Sequence, residues 1–408
     1  MRSFIFDDAG TGKTKRAIDL FAPLRSVLVV CPANVMETSW IPQLKRWDPE
    51  RGDSVMLLRD MRNLSESAWA HSEFKYLISS YEMLKSLSFV PAHYGMIVDE
   101  SHFVKNPRSN RSKMVRALSD KADDLLMLTG TPAPKDLEDI FGQCSVMYPH
   151  RADRAAKFGR EFATLGSFRL AFGKAFSMHI NGFDVRKYSY EDDATRVVYD
   201  RLSSAVLARR ASELTLPALV SVRCRHNVEG RISEWLESWS LDGEVTGVSA
   251  SSVANKVGQL DDGFAYRDDG SPYVFDSGKI DGARDVAGEV GNLLIWARFR
   301  AVLDELAPFG VSAQHVVHNG VDGGSYVYAN PQSMGTGVDG LQKYCADQLW
   351  IDLPYTFAEW QQANARLIRR GTKFSKHRIL IMDTKWNRKV FDVIEGRRRL
   401  DEIIKGEK

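Results

Sequence analysis

Short apolar runs alternate with amphipathic segments along the first 150 residues of the chain. Each run is four or five residues long, contains Val, Ile or Leu, and ends in small or polar residues. Continuous apolar runs of this length are typical of parallel strands that are covered on both faces. The alternation predicts an α/β domain over residues 1–150. The predicted strands are residues 3–6, 27–31, 76–79, 96–100 and 125–129, and the predicted helices are 14–24 and 40–47.

The pattern changes after residue 150. Strand-like runs vanish between 151 and 216, and Arg, Lys, Ala and Phe recur at helical spacing, which predicts a helical insertion and linker. Residues 217–408 are predicted to form a second α/β lobe, with a helical insertion near 226–275 and an exposed loop over 261–282. Its predicted strands are residues 219–224, 293–296, 326–329, 348–351 and 378–382, and its predicted helices include 299–306 and 357–370.

One connection in the second lobe is short. Val316 and Val317 look like a strand, and only about eight residues separate them from the strand-like run 326–329. A parallel crossover with its helix needs at least about ten to twelve residues. The sequence therefore predicts that a crossover helix is missing here.

Composition narrows the class of protein. Hydrophobic residues make up 44% and charged residues 26%, which is ordinary for a soluble protein. No apolar run approaches the ~20 residues that cross a bilayer, and the first residues do not read as a signal peptide. A cytoplasmic location is expected, the host cytoplasm if the gene is phage-borne. The four cysteines lie far apart, which predicts buried, reduced thiols.

The first candidate chemistry lies between the first predicted strand and helix. Residues 8–14 read Asp-Ala-Gly-Thr-Gly-Lys-Thr, and Asp7 holds the place of the first glycine of a full phosphate-binding pattern. Glycines let successive backbone N–H groups point at phosphate oxygens, and the helix N-terminus favours an anion. Lys13 would reach the β- and γ-phosphates, and the Thr14 hydroxyl would ligate Mg²⁺. The candidate nucleotide-binding residues are Asp8, Gly10, Thr11, Gly12, Lys13 and Thr14.

Two adjacent carboxylates form the second candidate site. Asp99 and Glu100 end the strand 96–100. Asp99 can hold Mg²⁺, and Glu100 can orient and deprotonate an attacking water. The other interpretation is a strand end that merely exposes charge, and the upstream loop weakens it. The hydroxyls of Thr129 and Thr131 can link this site to a neighbouring surface.

A third candidate group lies in the second lobe. Gln362, Arg366 and Arg369 are spaced i, i+4 and i+7, so they share one face of the predicted helix 357–370. Such a face suits recognition of a triphosphate across a cleft, where an arginine finger contributes about 10³ to 10⁵ in rate. The alternative is a solvated charged face.

In this order the motifs resemble those of superfamily-two helicases, and most of all the Swi/Snf-type ATPases in their short phage and bacterial forms. The most specific parts are Lys105-Asn106-Pro107 after the paired carboxylates and the Gln-Ala-x-x-Arg-x-x-Arg-x-Gly arrangement that begins at Gln362. They favour this family over DEAD-box RNA helicases. The similar segments are motif I at 8–14, Ia at 27–32, Ib at 77–82, II at 99–102, III at 128–132, IV at 293–306, V at 329–337 and VI at 362–371.

The resemblance implies two RecA-like lobes, ATP and Mg²⁺ as cofactors, and ATP hydrolysis that is stimulated by DNA. It implies translocation on, or remodelling of, duplex DNA without sequence specificity and without a membrane. The family pattern adds His102 and Gln362 to the nucleotide contacts. It places nucleic acid on the face of motifs Ia, Ib and V, where Ser79, Ser80 and Thr336 are candidate contacts.

The basic run after motif II has two interpretations. Lys105 and Arg108 begin a stretch of four positive charges in nine residues. They either grip phosphates or form a solvated loop and helix start. Because the net charge of the whole chain is only +2, any grip on nucleic acid must come from local patches of this kind.

The sequence departs from the family in the segment before motif I and in motif V. The family carries a glutamine-containing segment upstream of motif I that contacts adenine, whereas this sequence begins a few residues before the loop. Motif V is altered at residues 338–341. The missing upstream segment and the short crossover in lobe 2 motivate a second hypothesis, a degenerate, truncated module that binds DNA or protein with little ATP turnover. A small-molecule phosphotransferase would leave the second lobe unexplained.

Overall fold

A computed structural model describes residues 1–8, 11–63, 74–87, 89–180, 183–207, 218–243, 245–246, 253–320, 324–334, 340–368 and 372–404. It divides into two compact units, each built on one parallel sheet. Lobe 1 comprises Met1–Ala211 with Gly396–Lys408, and lobe 2 comprises Ser212–Glu395. The predicted α/β class with two parallel-sheet lobes is confirmed.

Lobe 1 has its strands in the order β3-β4-β2-β5-β6-β1-β9, and β7 pairs with β8 in a separate hairpin. The strands are β1 (Arg2–Ile5), β2 (Val27–Cys31), β3 (Val55–Leu57), β4 (Tyr76–Ser80), β5 (Gly95–Asp99), β6 (Asp124–Leu128), β7 (Gly173–Ile180), β8 (Phe183–Tyr190) and β9 (Val206–Leu207). The helices are α1 (Lys13–Phe21), α2 (Ile41–Trp47), α3 (Asn110–Lys121), α4 (Glu138–Met147), α5 (Arg151–Phe158), α6 (Leu165–Phe172) and α7 (Asp192–Leu202).

The sheet of lobe 1 is buried on both faces. Alternate residues of β2 enter different cores: Val27 and Val29 pack on one face, and Leu28 and Val30 pack on the other. All five residues of β2 are buried, as the continuous apolar run predicts. Because the strands are parallel, their carboxyl ends meet at one edge, where open α/β sheets bind ligands.

Lobe 2 has its strands in the order β10-β19-β18-β15-β17-β16, and β11–β12 and β13–β14 are separate two-stranded pairs. The strands are β10 (Ala218–Val222), β11 (Ser240–Leu241), β12 (Val245–Thr246), β13 (Phe264–Tyr266), β14 (Pro272–Val274), β15 (Leu293–Trp296), β16 (Val311–Ser312), β17 (Val327–Ala329), β18 (Asp347–Trp350) and β19 (Arg378–Met382). The helices are α8 (Glu229–Ser238), α9 (Val253–Asp261), α10 (Gly278–Val290), α11 (Arg300–Leu306), α12 (Ala313–Asn319), α13 (Pro331–Met334) and α14 (Phe357–Asn364). Helix α15 (Lys385–Ile404) begins in lobe 2, and its residues from Gly396 onward are part of lobe 1.

The expectation that residues 151–216 lack strands is wrong. Helices α5, α6 and α7 are present, but β7 and β8 form a long antiparallel hairpin between α6 and α7. Polar residues interrupt both strands, and the side chains of Phe176, Met178 and Val185 are largely exposed. The hairpin therefore lacks the continuous apolar run that marks the strands of the central sheets.

The predicted loss of a crossover helix in lobe 2 is also wrong. Val316 and Val317 lie in helix α12, not in a strand, and Val316 is buried in the core. The strand that precedes them is β16, whose last residue Ser312 accepts a hydrogen bond from the backbone N–H of His315 and caps the helix. The strand therefore ends earlier than predicted, which leaves room for a crossover between β16 and β17.

The predicted exposed loop over residues 261–282 is wrong as well. It contains the hairpin β13–β14 and the start of α10, and it buries a cluster of charges. The ammonium of Lys279 donates to Asp261 at 2.5 Å and to Asp262 at 2.7 Å. Burial lowers the pKa of Lys279, but the two carboxylates outweigh it and raise the pKa above the ordinary value. Burial raises the pKa of Asp262. The polar composition that suggested a loop reflects this internal pairing.

Two further expectations concern the cysteines and membrane-spanning helices. The four cysteines are free thiols; Cys31, Cys144 and Cys345 are buried, and Cys224 is half-buried. Within the described ranges, no helix combines the length and the apolar character that a bilayer crossing requires.

Replacing Lys279 with methionine removes the cation from the buried cluster and leaves Asp261 and Asp262 facing each other. We expect lobe 2 to lose about 3 to 5 kcal/mol in its free energy of unfolding. Urea unfolding followed by tryptophan fluorescence measures this loss. The matched control is Lys385→Met, because Lys385 is exposed and pairs with exposed Glu229, and such pairs contribute about 1 kcal/mol or less. Equal unfolding midpoints for the two variants would contradict the interpretation.

Candidate nucleotide-binding site

Three neighbouring strands of lobe 1 bring the candidate residues together. Strands β5, β6 and β1 lie side by side in the sheet. The loop that carries Lys13 follows β1, Asp99 ends β5, and Thr129 follows β6. Since the carboxyl ends of these strands meet at one edge, residues far apart in the chain share one site.

The loop between β1 and α1 is shaped around the Lys13 ammonium. Its Nζ atom donates to the backbone oxygens of Asp7 at 3.0 Å and of Asp8 at 3.4 Å. Gly12 precedes the helix with φ 95°, in the left-handed region that favours glycine. Thr11 is anchored by its hydroxyl, which donates to the oxygen of Asp8 at 2.7 Å. A lysine ammonium beside a helix N-terminus is an arrangement that can bind an anion. Gly10 lies outside the described residues.

Asp7 has a structural role in the place of the first glycine. Its side chain is fully buried, and its Oδ1 atom lies 3.0 Å from Arg16 Nη1 on helix α1. This ion pair fastens the start of the loop to the helix that follows it. Asp7 replaces the first glycine of the full phosphate-binding pattern, and its ion pair with Arg16 anchors the start of the loop.

Asp99 is half-buried and hydrogen-bonded on both carboxylate oxygens. Trp40 Nε1 donates to Oδ2 at 2.9 Å, and the backbone N–H of Glu100 donates to Oδ1 at 3.0 Å. Burial and the neighbouring Glu100 charge raise the pKa of Asp99 to about 6, and the Trp40 hydrogen bond and the Lys13 charge act against that rise. The Asp99 carboxylate therefore has a pKa close to neutral pH.

Glu100 adopts a backbone conformation that non-glycine residues rarely use. Its φ is 50° and its ψ is 53°, in the left-handed region, which costs about 1 to 2 kcal/mol for such a residue. The buried hydroxyl of Tyr81 donates to the backbone oxygen of Asp99, and burial raises the pKa of Tyr81 so that the donor stays protonated. Strain of this kind concentrates at functional sites.

Thr129 and Thr131 lie beside the histidine that contacts the carboxylate site. His102 Nδ1 lies 3.3 Å from Glu100 Oε2 and 3.1 Å from Thr129 Oγ1. Thr131 Oγ1 is 3.5 Å from the same nitrogen, and the backbone N–H of Thr131 donates to Thr129 Oγ1 at 3.0 Å. A buried polar chain therefore connects the end of β5 with the segment after β6.

The candidate nucleic-acid contacts differ in exposure. Ser79 and Ser80 are buried; Ser79 donates to the oxygen of Ser80, and Ser80 Oγ accepts from the backbone N–H of Met83. A phosphate would have to compete with these bonds for either hydroxyl. Lys105 is half-buried with its Nζ atom 3.6 Å from Asp139 Oδ2, whereas Arg108 is exposed. Thr336 lies outside the described residues.

The predicted helix 357–370 in lobe 2 is wrong in its length. Helix α14 ends at Asn364, and the chain continues in a tight turn in which Arg366 N donates to the oxygen of Ala363. Gln362 lies on the helix, Arg366 lies in the turn, and Arg369 falls outside the described residues. The shared helix face therefore does not extend to Arg366. The side chain of Asn364 is engaged at the end of the helix, where its oxygen accepts from Trp350 Nε1.

Trp40 and Tyr81 lie in segments that resemble motifs Ia and Ib, but sequence reasoning gave neither residue a role in the site. Both are buried aromatic residues in segments where a packing role is the simplest expectation. The partner of Trp40 lies 59 residues further along the chain. No local pattern signals such a contact.

Fold and site together define a two-lobed α/β protein whose first lobe gathers a lysine, two carboxylates and a histidine at the ligand-binding edge of a parallel sheet. The chain belongs to the SNF2-related family, because the family model described as SNF2-related domain matches residues 2–215.

Relatives with described activities share only part of the chain. The DNA annealing helicase and endonuclease ZRANB3 of Mus musculus is 27% identical over 168 residues, which is 40% of this chain and 16% of that protein. The SWI/SNF-related matrix-associated actin-dependent regulator of chromatin subfamily A-like protein 1 of Xenopus tropicalis is 28% identical over 214 residues, 51% of this chain and 21% of that protein. The chain thus matches about a fifth or less of the length of these relatives.

Among solved structures, the chain is similar to the Sulfolobus solfataricus SWI2/SNF2 ATPase core in complex with dsDNA. The match has 16% sequence identity and a TM-score of 0.38, and it covers 99% of this chain and 89% of that chain.

The raised pKa of Asp99 predicts how stability depends on pH without nucleotide. Since the folded pKa of about 6 exceeds the ordinary 3.8, the folded state loses stability as pH rises through that window. The difference corresponds to at most about 3 kcal/mol. We expect Asp99→Asn to gain stability over the wild type above pH 6, and to lose this advantage below about pH 4.

Denaturant unfolding at a series of pH values measures this difference. Asp19→Asn is the matched control, because Asp19 is half-exposed and pairs with Lys15 on the surface of α1. The control should show little pH dependence relative to the wild type. A constant offset between Asp99→Asn and the wild type across the series would refute the assigned burial effect.

Proposed function

We propose that this chain is an ATP hydrolase whose turnover is stimulated by DNA and coupled to translocation on, or remodelling of, duplex DNA. The observation that carries the proposal is the grouping of Lys13, Asp99 and Glu100 at one sheet edge of a lobe that belongs to the SNF2-related family. One observation behind the alternative, a degenerate binding module, was the missing crossover helix in lobe 2. That helix is present.

The residues of lobe 1 suit ATP with Mg²⁺. Thr14 and Asp99 offer oxygen ligands, the kind that Mg²⁺ prefers. Among the described residues, no group of three or more His, Cys, Asp or Glu side chains could hold a metal. This fits Mg²⁺, which uses one or two carboxylates together with substrate phosphates. When bound, Mg²⁺ would neutralise charge on the phosphates.

The side chains of the site have distinct roles in this proposal. Lys13 binds the phosphates that lie at the N-terminus of α1, beside the backbone of Asp8, Gly10, Thr11 and Gly12. Glu100 orients the attacking water and accepts its proton. His102 holds the Glu100 carboxylate in place and connects it to the Thr129 hydroxyl. Gln362, Arg366 and Arg369 are assigned to nucleotide recognition and to the charge that develops in the transition state.

Turnover with and without DNA is the direct test of the proposal. We expect phosphate release to rise when duplex DNA is added, because the proposed motor hydrolyses ATP while it is bound to DNA. The rate is measured with duplex DNA, single-stranded DNA and RNA at one salt concentration. Equal rates with and without nucleic acid would contradict the proposed function. Tight ATP binding without hydrolysis would favour the alternative module.

Glu100→Gln removes the proposed base while preserving the size of the side chain. We expect phosphate release to fall by about 100-fold or more, with ATP still bound. Turnover is measured by phosphate release, and binding by calorimetry. Glu191→Gln is a control at an exposed carboxylate that pairs with Lys174 on the surface, and its turnover should match the wild type. Unaltered turnover in Glu100→Gln would refute the assigned base.

Arg108→Ala tests the basic run after motif II. If Arg108 binds a phosphate, DNA affinity should weaken evenly across sequences, and the slope of log affinity against log salt should fall by about one. Fluorescence anisotropy over a salt series measures both quantities. Arg196→Ala is the control, because Arg196 is an exposed arginine that pairs with Asp193 on α7. Equal slopes for both variants would show that Arg108 belongs to a solvated surface.

A further inference from the structure

Asp99 receives its side-chain hydrogen bond from a distant part of the chain. The donor is Trp40 Nε1, at 2.9 Å from Oδ2, and the Trp40 side chain is 1% exposed. The backbone N–H of Glu100 is the second donor. A carboxylate that ends a strand can rotate about its side-chain bonds, and two donors on its two oxygens fix one rotamer.

The segment that carries Trp40 is a π-helical turn, Met36–Trp40, between β2 and α2. Turns of this kind are rare and occur frequently at functional sites. The outer side of the segment exposes Glu37 and Thr38, and the Thr38 hydroxyl donates to the oxygen of Asn34, which precedes the segment. The inner side buries Met36 and Trp40. A short stretch of chain therefore joins a polar surface to the carboxylate.

We propose that Trp40 is a positioning residue: its indole N–H holds Asp99 in the orientation that binds Mg²⁺, and it ties that orientation to the exposed turn that precedes α2. The inference rests on the proposed function, which assigns Asp99 to the metal. It deepens that function by naming the residue that orients the metal-binding carboxylate.

A phenylalanine at position 40 retains an aromatic ring but loses the donor. Loss of a group that holds a metal ligand in place lowers metal affinity or activity by about 10- to 100-fold. We expect Trp40→Phe to raise by about tenfold the Mg²⁺ concentration at which ATP binding is half-maximal.

The matched control is Trp47→Phe. Trp47 is half-buried at the end of α2, and Lys15 and Arg46 lie over its ring. The same substitution there leaves Asp99 untouched, so Mg²⁺ dependence should equal that of the wild type. Because Trp40 is buried, Trp40→Phe also opens space in the core. A second variant therefore carries 3-benzothienylalanine at position 40, which has the shape of tryptophan without its N–H.

Binding of a fluorescent ATP analogue over a Mg²⁺ titration is the decisive measurement, because it does not depend on turnover. A shifted titration in both position-40 variants, with a wild-type titration in the control, supports the inference. Wild-type Mg²⁺ dependence in the benzothienyl variant overturns it. If the wild type binds ATP with Mg²⁺ but DNA does not accelerate phosphate release, the proposed function fails, while the titration still decides the role of Trp40.

Discussion

The burial of one carboxylate constrains the centre of lobe 1. Asp99 ends β5 at the edge of a sheet whose strands are covered on both faces, and its carboxylate is half-buried, with burial as the largest influence on its pKa. An ionised group in such a place needs donors and a nearby cation. Trp40, the Glu100 backbone and Lys13 meet that need, and each comes from a different connection at the sheet edge. The β1–α1 loop, the π-helical turn and the strained Glu100 backbone all serve the environment of this one group.

Residues that follow local rules were predictable from the sequence. Strand β2 has the predicted bounds, because a strand buried on both faces has to be apolar at every position. Lys13, Asp99 and Glu100 were found by their place after apolar runs, since parallel strands end at one edge. Trp40 was not found, because an indole that packs and an indole that donates look alike in a sequence.

The failures share a physical cause, namely that tertiary contacts override local pattern. Val316 and Val317 are β-branched, yet a serine cap and burial place them in a helix. The helix before Arg366 lacks a glycine or proline to end it, and it stops where the Asn364 side chain bonds to Trp350. The segment 261–282 is rich in charge, and only the fold shows that Lys279 and its two aspartates neutralise one another.

The Lys279 cluster has a consequence for how this protein can vary. Asp261 is bonded both to Lys279 and to the Thr384 hydroxyl, so three separate segments of lobe 2 meet at one buried carboxylate. Exchange of any single member for a neutral residue strands the others in a medium that does not solvate charge. Substitutions at these positions are therefore expected to occur together. Natural variants of the chain should either keep all members of the cluster or replace all of them by apolar residues of matching volume.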